Sequence, residues 1–414
     1  MAVNYSDIQF TKEENFFIPN LNADYALFAI WKKAQPYKEE IKQVLSSSFE
    51  IVLETEIVWS EKHFHANASR LYEVPVFQNI DNEDLQSSHE KKIGGFQFIV
   101  IVVKDKVPKY SHAMSVSKKI ELSNLNVVDA KRKVRDIVFK AEGVKYGVHS
   151  TNSIYEFFFQ APLLFGMDIF KQLINEEKPK LEKLSKDLEG ANGWSNWESV
   201  FEILNATNNY VVLRGYEGLP AENPDKDVDL LTDNYQRIAS ALGAKQLSSK
   251  HYKGRIVVNN EETPIDIRFV GDHYYDTSMS KDMLDTKVNK NGFYELQDDF
   301  YFFSLLFHCK VQKAEVKEKY IGILDQLAKK LNYNWYLKET VFDDQAVGEI
   351  LNGYFQSHHY YYRDPLDHGV FKNTKIIRHL PRIDDSPKKR SLKAIVKKVM
   401  PSWLFRFLRK LIKG

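Results

Sequence analysis

A chain of 414 residues is too long for one ordinary compact core, which predicts at least two domains. Its 43% hydrophobic, 13% aromatic and 28% charged residues describe a folded protein and exclude collagen-like or wholly disordered readings. The net charge of +2 is unevenly spread: residues 386–414 carry ten Lys or Arg and no acid, leaving 48 bases against 56 acids in the body.

The segment to residue 166 alternates strand-like and helix-like patterns. Residues 27–30 form an apolar run, 38–45 read as an amphipathic helix, and 49–54 form a β-rich run. Residues 94–103 (GGFQFIVIVV) have the continuous apolar character of a buried strand, and 127–139 predict a helix. Residues 146–148 then lead into a polar turn, 149–153, and an aromatic helix from about Ile154. The string YGVHSTNSIYEF, preceded by LFAIWKKAQPYKEEIKQVLSSSFEIV and AKRKVRDIV, resembles nucleoside diphosphate kinase. The resemblance implies a ferredoxin-like domain over 1–166, with His149 at the position of the family's phosphate-accepting histidine. Trp31, Lys32 and Lys33 stand where that family has lysine, proline and aspartate, and Ser150 and Asn152 replace its glycine and acid. Those departures imply a kinase-like fold without kinase chemistry, in which His149 caps the turn before the helix.

Residues 167–196 read as a helical connector. The stretch 175–189 (NEEKPKLEKLSKDLE) has Glu and Lys at three- and four-residue spacings, with Pro179 near a first turn.

From Trp197 the pattern is helix, strand, long loop, strand. Residues 209–213 are strand-like, Arg214 and Gly215 open a loop, and 226–231 (KDVDLL) return as a second strand. Side chains two apart on a strand face the same way, so Asp227 and Asp229 share a surface. A third acid, Asp266, lies in the β-type run TPIDIRFV beside Arg268. Carboxylates gathered in this way repel one another unless a cation lies between them, and an oxygen-rich site suits Mg²⁺ or Mn²⁺. The arrangement of a glycine turn, an Asp-x-Asp pair and a later acid resembles the polymerase-β-like nucleotidyltransferase superfamily. Tyr216 and Glu217 depart from its usual small residue and serine, which favours a donor other than a nucleoside triphosphate. The resemblance implies catalytic and metal-binding roles for Asp227, Asp229 and Asp266, and donor-phosphate contacts at Arg214, Gly215 and Arg268. His308 and Lys313, on or just beyond the helix predicted within 293–313, are further donor contacts. In that helix Asp298 or Asp299 is the expected cap, and Phe302, Leu305, Leu306 and Cys309 are the expected core.

The catalytic domain is thus assigned to 197–345, and 346–385 to an extension packing on it, including the Tyr- and His-rich run 358–368. Residues 391–413 read as a basic amphipathic helix, and 386–414 as a membrane-association element lying on anionic headgroups. One cysteine, no signal-peptide pattern and no run of about 18 apolar residues predict a cytoplasmic protein, peripheral on the inner face of the membrane. The expected class is α+β with two domains and a terminal helix. A nucleotidyltransferase-type module with a basic tail resembles enzymes of bacterial surface-polysaccharide assembly, and fukutin-type transferases use this fold for alditol phosphate transfer. The implied partners are a nucleotide-linked donor and a polysaccharide or lipid-linked glycan acceptor; no nucleic acid is expected. The alternatives are transfer of a nucleoside monophosphate to a small molecule, protein or RNA, and a non-catalytic scaffold docked on the membrane.

Overall fold

The computed structural model describes residues 23–74, 76–77, 94–114, 120–223, 226–248 and 253–383; the basic tail lies outside them. The chain is a mixed α+β protein. Strand β1 (Asp24–Ile30) leads through a 3₁₀ turn to α1 (Lys38–Ser46), β2 (Glu50–Val58) and α2 (Phe64–Leu71). After the short β3 (Val76–Phe77) come β4 (Gln97–Asp105), the hairpin β5 (Tyr110–Met114) and β6 (Ile120–Asn124), α3 (Leu125–Glu142) and β7 (Val148–Ser150). Next are α4 (Ile154–Phe165), α5 (Met167–Ile174) and β8 (Lys183–Leu184).

Strands β1, β2, β4 and β7 build an antiparallel sheet in the order β7-β1-β4-β2, extended at β2 by parallel pairing with β8. Alternation on β1 decides its two faces. Ala26, Phe28 and Ile30 pack against Ile41, Leu45 and Val134 of α1 and α3, whereas Tyr25, Leu27 and Ala29 enter a larger core with α4. The expected helix over 175–189 does not form: β8 runs extended beside β2, and Glu56 N–H donates to Glu182 C=O. A backbone pairing of this kind outweighs the weak exposed ion pairs of a solvated helix.

The second half begins with α6 (Trp197–Thr207), β9 (Tyr210–Arg214), β10 (Val228–Thr232) and α7 (Tyr235–Leu242). It continues with β11 (Lys245–Ser248), β12 (Lys253–Val258), β13 (Glu261–Phe269), α8 (Thr277–Thr286), β14 (Val288–Lys290) and β15 (Phe293–Glu295). Helices α9 (Asp298–Val311), α10 (Glu318–Lys330), α11 (Asp344–Ser357) and α12 (Thr374–Ile377) close it. Its sheet runs β14-β15-β9-β10-β13-β12-β11-β3, so a strand from the N-terminal half pairs at its edge. Tyr210, Val212, Leu230, Ile265 and Ile267 face the core shared with α4 and the first sheet, while Val211, Leu213 and Leu231 face α9.

Arg237 stitches the halves together. Almost fully buried, it donates to Thr207 C=O (2.7 Å) and Tyr155 C=O (2.9 Å), pairs with Glu73 (2.9 Å) and lies 3.8 Å from the centre of the Tyr155 ring.

In the first sheet Asp24 and Asp105 are direct cross-strand neighbours, both buried, with Asn124 donating to each. Burial lifts Asp24 from 3.8 to about 7, against the hydrogen bonds from Tyr110 and Asn124. The folded state therefore holds a proton that the unfolded chain releases near pH 4. Stability from this group is complete below that pH and is lost as pH rises toward 7, by up to about 4 kcal/mol. Urea denaturation across pH 4–8 should show this decline in the wild type and a flatter profile in Asp24→Asn; equal slopes would exclude Asp24 as its source.

Candidate functional site

Alternation along β10 and β13 decides what faces α9. Since Val228, Leu230, Ile265 and Ile267 point into the shared core, Asp229 and Asp266 point the other way. The parallel register sets Asp229 directly beside Asp266. On the flanking strands, Arg214 of β9 is the register partner of Asp229 and Lys253 of β12 that of Asp266. Four neighbouring strands thus present a row of cation, acid, acid, cation.

Each acid has an arginine. Arg214 Nε lies 3.0 Å from Asp229 Oδ2; Arg268 Nη2 lies 3.0 Å from Asp266 Oδ2, and its Nη1 lies 3.2 Å from Asp367 Oδ2. Both arginines are buried, and Arg268 also lies 4.1 Å from the centre of the Tyr274 ring. Burial pushes Asp266 above the usual carboxylate range, with Asp229 adding to the shift and Arg268, Arg214 and Lys253 opposing it. Its Oδ1 is buried without a hydrogen-bond partner, an unmet acceptor that a cation or a proton would satisfy.

These groups line a cavity of about 400 Å³. The expected residues Asp227, Asp229, Asp266, Arg214, Arg268, His308 and Lys313 all border it. Asp227 lies one residue before β10 begins, exposed rather than on the strand itself. Gly215 turns the chain after Arg214 with φ +70° but is not on the cavity wall. The side chains that follow it turn away: Tyr216 packs on Tyr301, whose hydroxyl donates to Glu217 (2.7 Å).

His308 is buried on α9 and held far below its ordinary pKa by burial, then by Arg214 and Lys313, so the ring is neutral. Its Nδ1 lies 2.9 Å from the Tyr274 hydroxyl, which accepts from Arg214 Nη2 at 3.3 Å. With its oxygen accepting from arginine, the hydroxyl gives its proton to Nδ1, and the imidazole proton belongs on Nε2. Lys313, just past the end of α9, is depressed by burial and by Arg214, with Asp229 opposing.

Lys253, Tyr274 and Asp367 were not among the expected residues. Lys253 could have been found only from the pairing of β12 with β13. Asp367 belongs to the Tyr- and His-rich run expected to pack over the site, and it reaches Arg268 from 99 positions away.

His149 is outside this cavity. It belongs to β7 rather than to a turn, pairs with Ala29 in register and is buried, with Nε2 3.0 Å from Gln160 Oε1 and its ring against Tyr72. Burial, reinforced by Lys131, lowers it to about 3. Ser153, not His149, caps the following helix by accepting from Glu156 N–H. Likewise neither Asp298 nor Asp299 caps α9, whose N-cap is Gln297. Asp298 pairs with Lys330, and Asp299 accepts from Tyr333 and Tyr354.

Among the described residues no three His, Cys, Asp or Glu side chains form a ready-made metal cage. The strand pair Asp229 and Asp266 nonetheless fits Mg²⁺, which is commonly held by one or two carboxylates together with substrate phosphates and water. Comparison with known proteins gave no match to a family model, a curated protein or a solved structure.

The ion-pair row makes a testable demand on stability. Arg268→Met removes the arginine shared by half-buried Asp266 and buried Asp367 and should cost about 3–5 kcal/mol in urea denaturation. Adding Asp266→Asn to that variant should recover part of the loss; simple additivity of the two changes would show that the pair is not coupled.

Proposed function

We propose that the chain is a metal-dependent transferase that uses a nucleotide-linked donor, moving a sugar or alditol phosphate onto a glycan acceptor at the cytoplasmic face of a membrane. In this reading the second half is a nucleotidyltransferase-type fold. The first half is a ferredoxin-like, kinase-derived module, consistent with its β7-β1-β4-β2 strand order. The observation that carries the reading is the side-by-side register of Asp229 and Asp266 in one cavity, with the unpartnered Asp266 Oδ1 between flanking cations.

Asp229 and Asp266 would hold Mg²⁺ or Mn²⁺, with Asp227 at the mouth; when bound, the ion neutralises donor diphosphate charge. Lys313 and Lys253 bind phosphate oxygens from the cavity wall, and Arg214 and Arg268 pair with the two strand carboxylates and orient them. Neutral His308, its Nδ1 accepting from Tyr274, donates a hydrogen bond from Nε2 to the donor's nucleotide phosphate, which departs with the electrons of the broken bond. Asp227 takes the proton of the incoming acceptor hydroxyl. No covalent enzyme intermediate is required. Support for a glycan acceptor comes from a groove of about 430 Å³ that includes Asp299 and Phe303 of α9, Tyr333, Trp335 and Tyr354. There Tyr333 and Trp335 stack at 4.9 Å with Trp335 half exposed, a surface suited to the apolar face of a sugar ring.

A thermal-shift screen tests the reading, because a ligand that binds only the native state raises its stability. CDP-alditols or nucleotide sugars with Mg²⁺ should stabilise the wild type but not Asp229→Asn, which should lower turnover about a hundredfold or more. Stabilisation by ATP or CTP alone would favour nucleotidyl transfer, and full function in Asp227→Ala and Asp229→Ala would favour a scaffold. Membrane docking is tested separately: deleting residues 386–414 should abolish flotation with anionic liposomes, and unchanged flotation would reject the tail as the anchor.

A further inference from the structure

A second cleft, of about 290 Å³, opens where α2 of the first half meets the loop around Gly190–Gly193 and the β12–β13 hairpin. Cations dominate its wall: Lys62, Arg70, Lys245 and Arg255 border it, and Glu262 is the one carboxylate among the described lining residues. Glu262 is already engaged, with Oε2 2.7 Å from Arg255 Nη1.

Arg70 is the unusual member. Only 3% exposed, it donates from Nε to Ser240 C=O (2.8 Å) and from Nη2 to Glu189 C=O (2.6 Å) and Ala241 C=O (2.9 Å), covering the C-terminal carbonyls of α7. Its Nη1 is buried and has no hydrogen-bond partner. Three residues earlier on the same helix, Asn67 gives its amide to Asp187 (2.8 Å) while its Oδ1 is likewise unpartnered. Carbonyl dipoles stabilise a guanidinium but do not neutralise it, and arginine does not escape by losing its proton. A buried cation of this kind costs several kcal/mol unless an anion meets it, and the acid that acts on Arg70, Glu189, gives its carboxylate to Lys186. Gly243, at φ +64°, packs its backbone directly on the guanidinium: a Cβ there would come within 3.0 Å of Arg70 Cζ and 3.2 Å of Nη1, so a side chain at this position would displace Arg70.

We propose that this cleft is an anion site, separate from the acidic cavity, that binds a small phosphorylated ligand between Arg70 and the rim cations Lys62 and Lys245. Several cations with one committed carboxylate favour a multiply charged group over a single carboxylate ligand. Among the described lining residues there is no Phe, Tyr or Trp on which a nucleobase could stack, which favours a pyrophosphate or a simple phosphate ester over a nucleotide. The β12–β13 hairpin borders both places, turning Lys253 and Asp266 to the acidic cavity and Arg255 and Glu262 to this cleft. The assignment stands on Arg70 and its surroundings and does not require the transferase reading.

Isothermal titration of the full chain with inorganic pyrophosphate, in chelator so that no divalent ion contributes, is the test. Wild-type protein should bind saturably. Lys62→Glu/Lys245→Glu, which alters only exposed rim positions, should weaken binding by at least about tenfold, and Arg70→Lys should weaken it with the fold retained by circular dichroism. Lys133→Glu/Lys140→Glu, a like charge change at exposed positions of α3 that line neither cavity, should leave the affinity unchanged. Absence of saturable binding up to about 10 mM, or affinity unchanged in the rim variant, would overturn the site.

Discussion

The register of β9, β10, β13 and β12 is the constraint on which the acidic cavity depends. A slip of one residue in any strand would turn its side chains to the opposite face and bury a carboxylate or arginine in the apolar core shared with α4. The apolar residues on one face therefore fix the polar residues on the other. Val228, Leu230, Ile265 and Ile267 hold the strands in the arrangement that sets Asp229 beside Asp266. Two carboxylates set side by side repel one another, Arg214 and Arg268 offset that repulsion, and the arginines in turn would be costly there without the acids.

That mutual dependence explains which parts of the site could be read from the chain alone. The Asp-x-Asp spacing, the later acid and the arginine two residues beyond it are local patterns, and alternation turns Asp229 and Asp266 away from the core, while Asp227 reaches the cavity from just before β10. Lys253 and Asp367 enter through strand pairing and through a distant segment, neither of which leaves a local trace. Gly215 was legible as a turn, and its φ of +70° bears this out, but the direction of the following loop depends on Tyr216 packing against Tyr301.

The fold divides in the same way. Buried strands such as β1 and β4 announce themselves as apolar runs, and α3 by its amphipathic period. The stretch 175–189 satisfied a helical charge pattern yet pairs with β2 instead, because Leu184 and the backbone of Glu182 gain more from the sheet than the lysines gain from their glutamates. His149 was misassigned to a turn for a related reason. Its polar neighbours look like a cap sequence, whereas edge pairing with Ala29 and the bond to Gln160 draw it inward, and Ser153 performs the capping.

The two halves are not independent supports. A sheet with its β11 edge open would offer unpaired backbone to solvent or to another chain, and β3 pairs with that edge. Arg70 then covers the last carbonyls of α7 from one side, while Arg237 on α7 reaches back to Tyr155 and Glu73 from the other. The arginines thus cross the junction in opposite directions, each adding a charged donor to backbone carbonyls buried there. The first half consequently shapes the second through the edge pairing and α7, even though His149, the residue that first suggested chemistry in it, is sealed inside. Its contribution to function on this view is to hold the strand carrying Lys253, and through it the register of Asp266, in place.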